Sequence, residues 1–215
     1  MQFTPKQLSD SLVTAFTQRE TYFAVMHRPD DLVISVNKLL EIVRNTHRKQ
    51  INLTFLEDSY KDHHIYSFML SNNDSMSYDI CLLGGMSNCW NRFALCKELF
   101  HAIMDEKEVR NTSIFSHLRD FKMSMTDASV SGGASSINEM LTEYAAMQFL
   151  FPYQKRLACI DEVKTRVSSG EAKKDIYMDI ATRFRIPRVL VEDYLDDGMI
   201  GLFSVISWDG KSDVR

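Results

Sequence analysis

The sequence has few cysteines, glycines and prolines, and each shortage excludes a class of protein. Four cysteines in 215 residues are too few for a disulfide framework, and no two of them form a Cys-x-x-Cys pair. Eight glycines and four prolines exclude a collagen-like or low-complexity chain. We therefore predict free thiols and a reducing, cytoplasmic compartment.

The sequence also lacks a long apolar run and an excess of basic residues. No segment approaches the roughly 18 consecutive apolar residues of a membrane-spanning helix, and the first ten residues show no secretory signal. The formal net charge is −4, whereas proteins that bind nucleic acid normally carry a basic excess. Nucleic acids and membranes are therefore disfavoured as partners.

What is present is ordinary globular composition, with 45% hydrophobic and 25% charged residues. Apolar periodicity divides the chain into a helical N-terminal region (1–50), a mixed core (51–155) and C-terminal helices (156–205), which we expect to form one continuous unit. Asp30 or Asp31 is the expected N-cap of the second helix, because an aspartate side chain can accept a hydrogen bond from the first helical turn.

The mixed core begins with short segments in which apolar and polar residues alternate. These segments lie between residues 51 and 83 and predict a small, mostly antiparallel sheet. Helical periodicity returns over 91–104 and again over 138–151. The polar stretch 105–136 between these helices is long for a plain connection, so we expect a functional loop or short helices there.

The most informative segment is residues 97–101, which read Lys-Glu-Leu-Phe-His. This pattern resembles the His-Glu-x-x-His helix of zinc peptidases, with Lys97 in place of the first histidine. In that motif two side chains one helical turn apart hold the metal, and the intervening glutamate acts as the general base. Glu98 and His101 occupy the expected positions.

A second segment, residues 139–152, reads Glu-Met-Leu-Thr-Glu-Tyr-Ala-Ala-Met-Gln-Phe-Leu-Phe-Pro. Together with residues 97–101, it resembles the ImmA/IrrE family of intracellular metallopeptidases. Aligned on Pro152, the family's third zinc ligand falls on Glu139, and a position that normally holds Asn or Asp falls on Glu143. A shift of one turn would make Glu143 the ligand instead.

This resemblance, which spans residues 50–195, implies an α+β fold with a zincin-like core. The small sheet would pack on the helix that carries Lys97 and His101. The implied activity is that of a metallo-endopeptidase, a hydrolase, and the implied partner is a transcriptional repressor or related regulator, often in a phage or mobile-element context.

Lys97 leaves two chemical interpretations open. A lysine ammonium has no free lone pair for zinc, so it can instead fill the metal's place and pair with Glu139 or Glu143, with no cofactor. Alternatively, an unidentified ligand completes a zinc site with His101 and Glu139, and Glu98 activates water. The candidates for that ligand are Cys96, His63, His64 and His117.

The first interpretation predicts a pseudoenzyme that binds a protein or peptide partner, and the second predicts an active endopeptidase with an altered ligand set. A third interpretation, a nucleic-acid-binding regulator, follows from the helix pair around Pro187, where Arg183, Arg185 and Arg188 cluster. Acidic residues directly after this pair and the negative net charge oppose it.

Overall fold

The computed structural model describes residues 3–27, 33–57, 67–71, 76–104 and 134–204. Within these residues the fold is α+β and mostly helical, with one three-stranded sheet. The strands are β1 (Gln50–Leu56), β2 (Ser67–Ser71) and β3 (Ser77–Leu83). The helices are α1 (Pro5–Met26), α2 (Val36–Thr46), α3 (Asn88–Met104), α4 (Ala134–Leu150), α5 (Tyr153–Ser168), α6 (Lys173–Phe184), α7 (Arg188–Tyr194) and α8 (Asp197–Ser204).

The sheet corrects the expectation of a mostly antiparallel arrangement. Strand β3 lies in the centre, antiparallel to β2 over five residue pairs and parallel to β1 over seven. Alternation of apolar and polar residues determines which face of a sheet each side chain uses, but it carries no information about the direction of the neighbouring strand. The short connection from β2 to β3 favours antiparallel pairing, whereas β1 joins the far side of β3.

The start of α2 also differs from the expectation. The N-cap is Ser35, whose hydroxyl accepts a hydrogen bond from the backbone N–H of Lys38 at 3.4 Å. Asp30 and Asp31 lie outside the described residues and precede the first helical turn by too many residues to cap it. Most of the stretch 105–136 is also outside the described residues, except that α4 begins at Ala134.

Helix α3 occupies the centre of the fold, with β2 and β3 on one side and α4 on the other. Its face toward α4 buries Phe100, whose ring meets that of Phe149 edge-on at 5.8 Å. Helix α1 covers α4 from outside. Burying each such ring contributes roughly 1.5–3 kcal/mol, so the relative position of α3 and α4 is fixed by apolar packing.

The C-terminal helices are tied to the N-terminal end of α3 by Arg92. Its guanidinium donates hydrogen bonds of 2.7–2.8 Å to the backbone carbonyls of Ile34, Phe184 and Arg185. One side chain therefore joins α3 to the start of α2 and to the turn between α6 and α7. None of the helices in the described part of the chain combines the length and the apolar character needed to cross a membrane.

Candidate functional site

The candidate site lies where α3 faces the first turns of α4. Lys97 and His101 are four residues apart on α3, so their side chains lie on the same face of the helix. Glu139, near the start of α4, points back at both of them. The apolar packing of α3 on α4 thus brings two nitrogen-bearing side chains to one carboxylate.

Lys97 forms the shortest contact of the site. Its Nζ donates to Oε2 of Glu139 at 2.5 Å and lies 3.7 Å from Oε1 of Glu98. The side chains of Lys97 and Glu139 are 13% and 23% exposed, so the ion pair is sheltered but not sealed from water. The ammonium therefore lies between two carboxylates, with the direct hydrogen bond going to Glu139.

His101 bonds to the other oxygen of the same carboxylate. Its Nε2 lies 3.0 Å from Oε1 of Glu139 and 3.0 Å from the hydroxyl oxygen of Thr142. The Thr142 hydroxyl also lies within hydrogen-bond distance of two backbone carbonyls of α4. Because the carboxylate can only accept, this network places a proton on Nε2, and Glu139 is bridged by two donors from α3.

Glu98 is held from the side of the sheet. Ser67, the first residue of β2, donates its hydroxyl to Oε1 of Glu98 at 2.6 Å. The Glu98 side chain is only 2% exposed. The carboxylate that the resemblance assigns as a general base is therefore buried, hydrogen-bonded to Ser67 and close to a lysine ammonium.

Glu143, one turn further along α4, has a different partner. It accepts a hydrogen bond from the hydroxyl of Tyr194 on α7 at 3.1 Å. Burial raises the pKa of Glu143, and this outweighs the opposing effects of the Tyr194 hydrogen bond and of the Lys97 charge. Glu139, rather than Glu143, contacts both side chains of α3.

The charges of the site are mutually reinforcing. Burial alone would raise the pKa of Glu139, but His101 and Lys97 outweigh burial and hold that pKa well below its usual range. Burial likewise opposes the charged forms of His101 and Lys97, yet Glu139 and Glu98 raise the pKa of both. The site therefore favours the charged forms of Lys97, Glu139 and His101 relative to the same groups in water.

The described residues do not fit a zinc ion. The position of the first ligand is held by a lysine whose pKa is raised, so it offers no lone pair. Cys96 is fully buried among apolar residues, and burial raises the pKa of its thiol. In the described part of the chain no three His, Cys, Asp or Glu side chains are placed to share a metal. His63, His64 and His117 lie outside it.

A cavity of about 200 Å³ adjoins the site on the side of His101. It lies between α1, the C-terminal end of α3 and the start of α4. Its lining mixes polar and apolar surface in equal parts, and its polar side chains include Asp10, Thr14, His101, Asn138 and Thr142. The cavity can accommodate one side chain or a short polar group of another molecule, directly beside the imidazole.

Three neighbours of the site escaped the sequence analysis: Ser67, Thr142 and Tyr194. Thr142 could have been found, because it lies three residues after Glu139 and so shares its helical face. Ser67 and Tyr194 come from distant segments, and no local pattern marks them.

No protein-family model matches the sequence, and no curated protein matches it. Among solved structures, the chain is similar to a transcriptional regulator from Mycobacterium tuberculosis, with a TM-score of 0.45 and 14% sequence identity. The similarity covers 88% of this chain and 50% of that chain, so the chain spans half the length of that structure.

Proposed function

We propose that the protein is a degenerate ImmA/IrrE-like protein with a zincin-like core, a regulatory pseudoprotease of phage or mobile-element type that binds a protein or peptide partner. The observation that carries this proposal is the hydrogen bond from Lys97 to Glu139 at the two positions where the resemblance expects zinc ligands. An ammonium there supplies the positive charge that a metal would otherwise bring to the carboxylate.

The surroundings of Glu98 support the loss of peptidase chemistry. A general base must reach a water molecule and accept its proton. Here one carboxylate oxygen of Glu98 accepts the Ser67 hydroxyl, and Lys97 lies 3.7 Å from the same oxygen. The group is retained in this proposal as a structural anchor between α3 and β2.

The cavity beside His101 is the proposed entry point for the partner. Its walls offer carboxylate, hydroxyl and amide groups, which suit a polar side chain of a peptide segment. The family resemblance suggests a transcriptional repressor as the protein that carries this segment.

Nucleic acid is a less suitable partner, because the arginines near Pro187 are largely neutralised within the chain. Arg183 pairs with Glu162 at 2.6 Å, and Arg188 pairs with Glu192. Arg185 is exposed, but one arginine gives little of the multiple phosphate contact on which such binding depends.

Metal analysis tests the pseudoenzyme part of the proposal. The purified protein is dialysed against trace zinc, and its metal content is measured by mass spectrometry. We expect far less than one zinc per chain. One tightly held zinc per chain would instead support the alternative of an active endopeptidase with a further ligand, which cleaves a repressor.

Co-expression tests the partner. The protein is produced together with a candidate transcriptional repressor, and the mixture is analysed by size-exclusion chromatography and, for cleavage, by electrophoresis. We expect a complex with the repressor intact. Thr14→Trp, which fills the cavity, should weaken the complex at least tenfold, whereas Thr17→Trp on the exposed face of α1 should not. Equal binding by both variants would place the partner elsewhere.

A further inference from the structure

Arg156 is a charged side chain that the proposed function does not use. It lies on α5 and is 0% exposed, the largest fully buried side chain in the described part of the protein. Arginine is almost never buried completely unless its charge is paired. Its environment therefore requires an explanation.

The guanidinium lies within a cage of aromatic rings. Its central carbon is 4.0 Å from the ring centre of Phe203, 5.5 Å from that of Tyr194 and 5.7 Å from that of Tyr153. Stacking on aromatic faces stabilises a desolvated cation. Nη2 also donates to Oε1 of Gln148 at 2.9 Å.

Neither Nε nor Nη1 of Arg156 has a hydrogen-bond partner among the described residues. Burial lowers the pKa of Arg156 to about 10, although Tyr194 and Tyr153 oppose this effect, so the group still carries its charge at neutral pH. Within the described residues, three N–H groups of this buried cation have no acceptor and no carboxylate pairs with it, which leaves the group chemically incomplete there.

Helix α8 closes this cage through one side chain. Phe203 is its only buried residue, and its ring packs on Arg156 and edge-on against Tyr144 at 5.6 Å and Tyr194 at 6.1 Å. The helix is short and contains Gly198 and Gly201, and glycine weakens a helix by about 1 kcal/mol relative to alanine. Moving Phe203 outward would remove the ring that lies nearest to the guanidinium.

We propose that Arg156 is the recognition residue of an oxyanion-binding site for a carboxylate or phosphate group, and that α8 is the lid that covers it. The free N–H groups match the acceptor oxygens of such a group, and charge-assisted hydrogen bonds to arginine are the strong ones. The aromatic rings keep the cation desolvated until the ligand arrives, which strengthens its attraction for an anion.

The test uses the full-length chain labelled with ¹⁵N. The Arg156 Nε–H resonance is assigned by its loss in Arg156→Lys, and sodium acetate or sodium phosphate is titrated at constant ionic strength. We expect a saturable shift of this resonance with one of the two anions, and the anion that produces it identifies the ligand class.

The second part of the test removes the side chain by which α8 covers Arg156. Phe203→Ala should lower the apparent Kd about tenfold, because the competent open state no longer has to be reached against the closed lid. The matched control is Phe23→Ala, which removes a ring that lies 4.9 Å from the guanidinium of Arg19. Arg19 donates to the backbone carbonyl of Phe149 and should show no saturable response.

Two results would overturn the proposal. The first is no saturable shift of the Arg156 resonance with either anion, in the parent or in Phe203→Ala. The second is the same response at Arg19 in Phe23→Ala, which would mean general anion binding. If Phe203→Ala does not fold, Phe203→Leu replaces it, since leucine keeps an apolar anchor but uncovers the face of the guanidinium.

Discussion

The charged cluster around Lys97 and the charged cluster around Arg166 have similar contact distances in very different surroundings. Arg166, on α5, donates hydrogen bonds of 2.8 Å to each of Glu162, Glu171 and Asp179. Lys97 donates at 2.5 Å to Glu139. The carboxylate of Asp179 is about half exposed, whereas the Lys97 side chain is 13% exposed.

The two clusters also differ in how charge is shared. Around Arg166 three carboxylates accept hydrogen bonds from one guanidinium, Glu162 is also paired with Arg183, and all three carboxylates are partly exposed to water. Around Glu139 one carboxylate serves two donors, Lys97 and His101, within the interface of α3 and α4. An ion pair at the surface contributes little to stability. Removing one member of a pair is costly only where the remaining charged group stays buried. Removing Lys97 should therefore destabilise the protein more than removing Arg166, although the hydrogen-bond distances in the two clusters are similar.

The largest expected effect is on zinc affinity. Lys97→His places a second imidazole one turn from His101 and opposite Glu139, which completes a three-ligand set. We expect zinc affinity to rise by more than about 100-fold, since even residues that only orient a ligand change affinity by about 10–100-fold. Competition with a chromophoric chelator measures the gain.

The control for this substitution is Lys174→His on the exposed surface of α6. It adds the same imidazole without the facing carboxylate and should leave zinc affinity near that of the parent. Equal affinities for the two variants would mean that α4 does not present Glu139 to a metal. The proposal that this site is a degenerate zinc site would then be wrong.

The second effect is on stability. Lys97→Met leaves Glu139 with His101 alone in a sheltered interface and should lower the free energy of unfolding by about 3–5 kcal/mol. Urea denaturation at pH 7 measures the loss. Arg166→Met likewise replaces a cation by methionine, but in the exposed cluster, and it should lower the free energy of unfolding by clearly less. A Lys97→Met variant as stable as the parent would show that the ion pair is solvated.

Helical spacing was the reliable part of the sequence information for this site. It places Lys97 and His101 on one face, because side chains four residues apart align on any helix. The choice of Glu139 over Glu143 needed the family resemblance. Ser67 could not be predicted, because its contact with Glu98 depends on how β2 packs against α3 rather than on any local pattern.

The fold, like the site, was predictable from the sequence only in part. Long amphipathic segments identified most helices, but the direction of β1 depends on a pairing between distant segments, which alternation does not encode. Helix α8 lies within the predicted C-terminal helices, but it could not be predicted as a separate helix, because its two glycines disfavour helix formation. The zincin-like core and the regulatory role stay predictions that the zinc and partner experiments test.

The third effect is a dependence of stability on pH, caused by Glu139 and His101. The pKa of Glu139 is lowered in the folded state, so its contribution to stability is complete above its unfolded pKa of about 4.3 and is lost on acidification. The pKa of His101 is raised, so its contribution is complete below about 6.5 and is lost as pH rises through the folded value. Both contributions are complete between about pH 4.3 and 6.5.

Glu139→Gln should therefore cost most in this window, about 1.5–3 kcal/mol at pH 5.5. The amide retains the shape and one acceptor oxygen, so the loss should be smaller than for Lys97→Met. Urea titrations from pH 4 to pH 9 should show the difference from the parent shrinking above the window as His101 loses its proton. A difference that does not vary with pH would mean that His101 stays neutral beside Glu139.

The smallest effect belongs to the exposed cluster and separates the two regions by salt. Arg166→Met removes hydrogen bonds to three carboxylates, but all three remain accessible to water, so the loss of stability should be modest in dilute buffer. At 1 M NaCl the screening length is about 3 Å, and the difference between Arg166→Met and the parent should largely disappear. The loss caused by Lys97→Met should largely persist at the same salt concentration, because Lys97 and Glu139 are mostly buried and buried pairs are screened much less. Urea denaturation of both variants in low and high salt makes the comparison. If salt reduced both losses equally, the Lys97 cluster would be as solvated as the Arg166 cluster, and the difference drawn between them would fail.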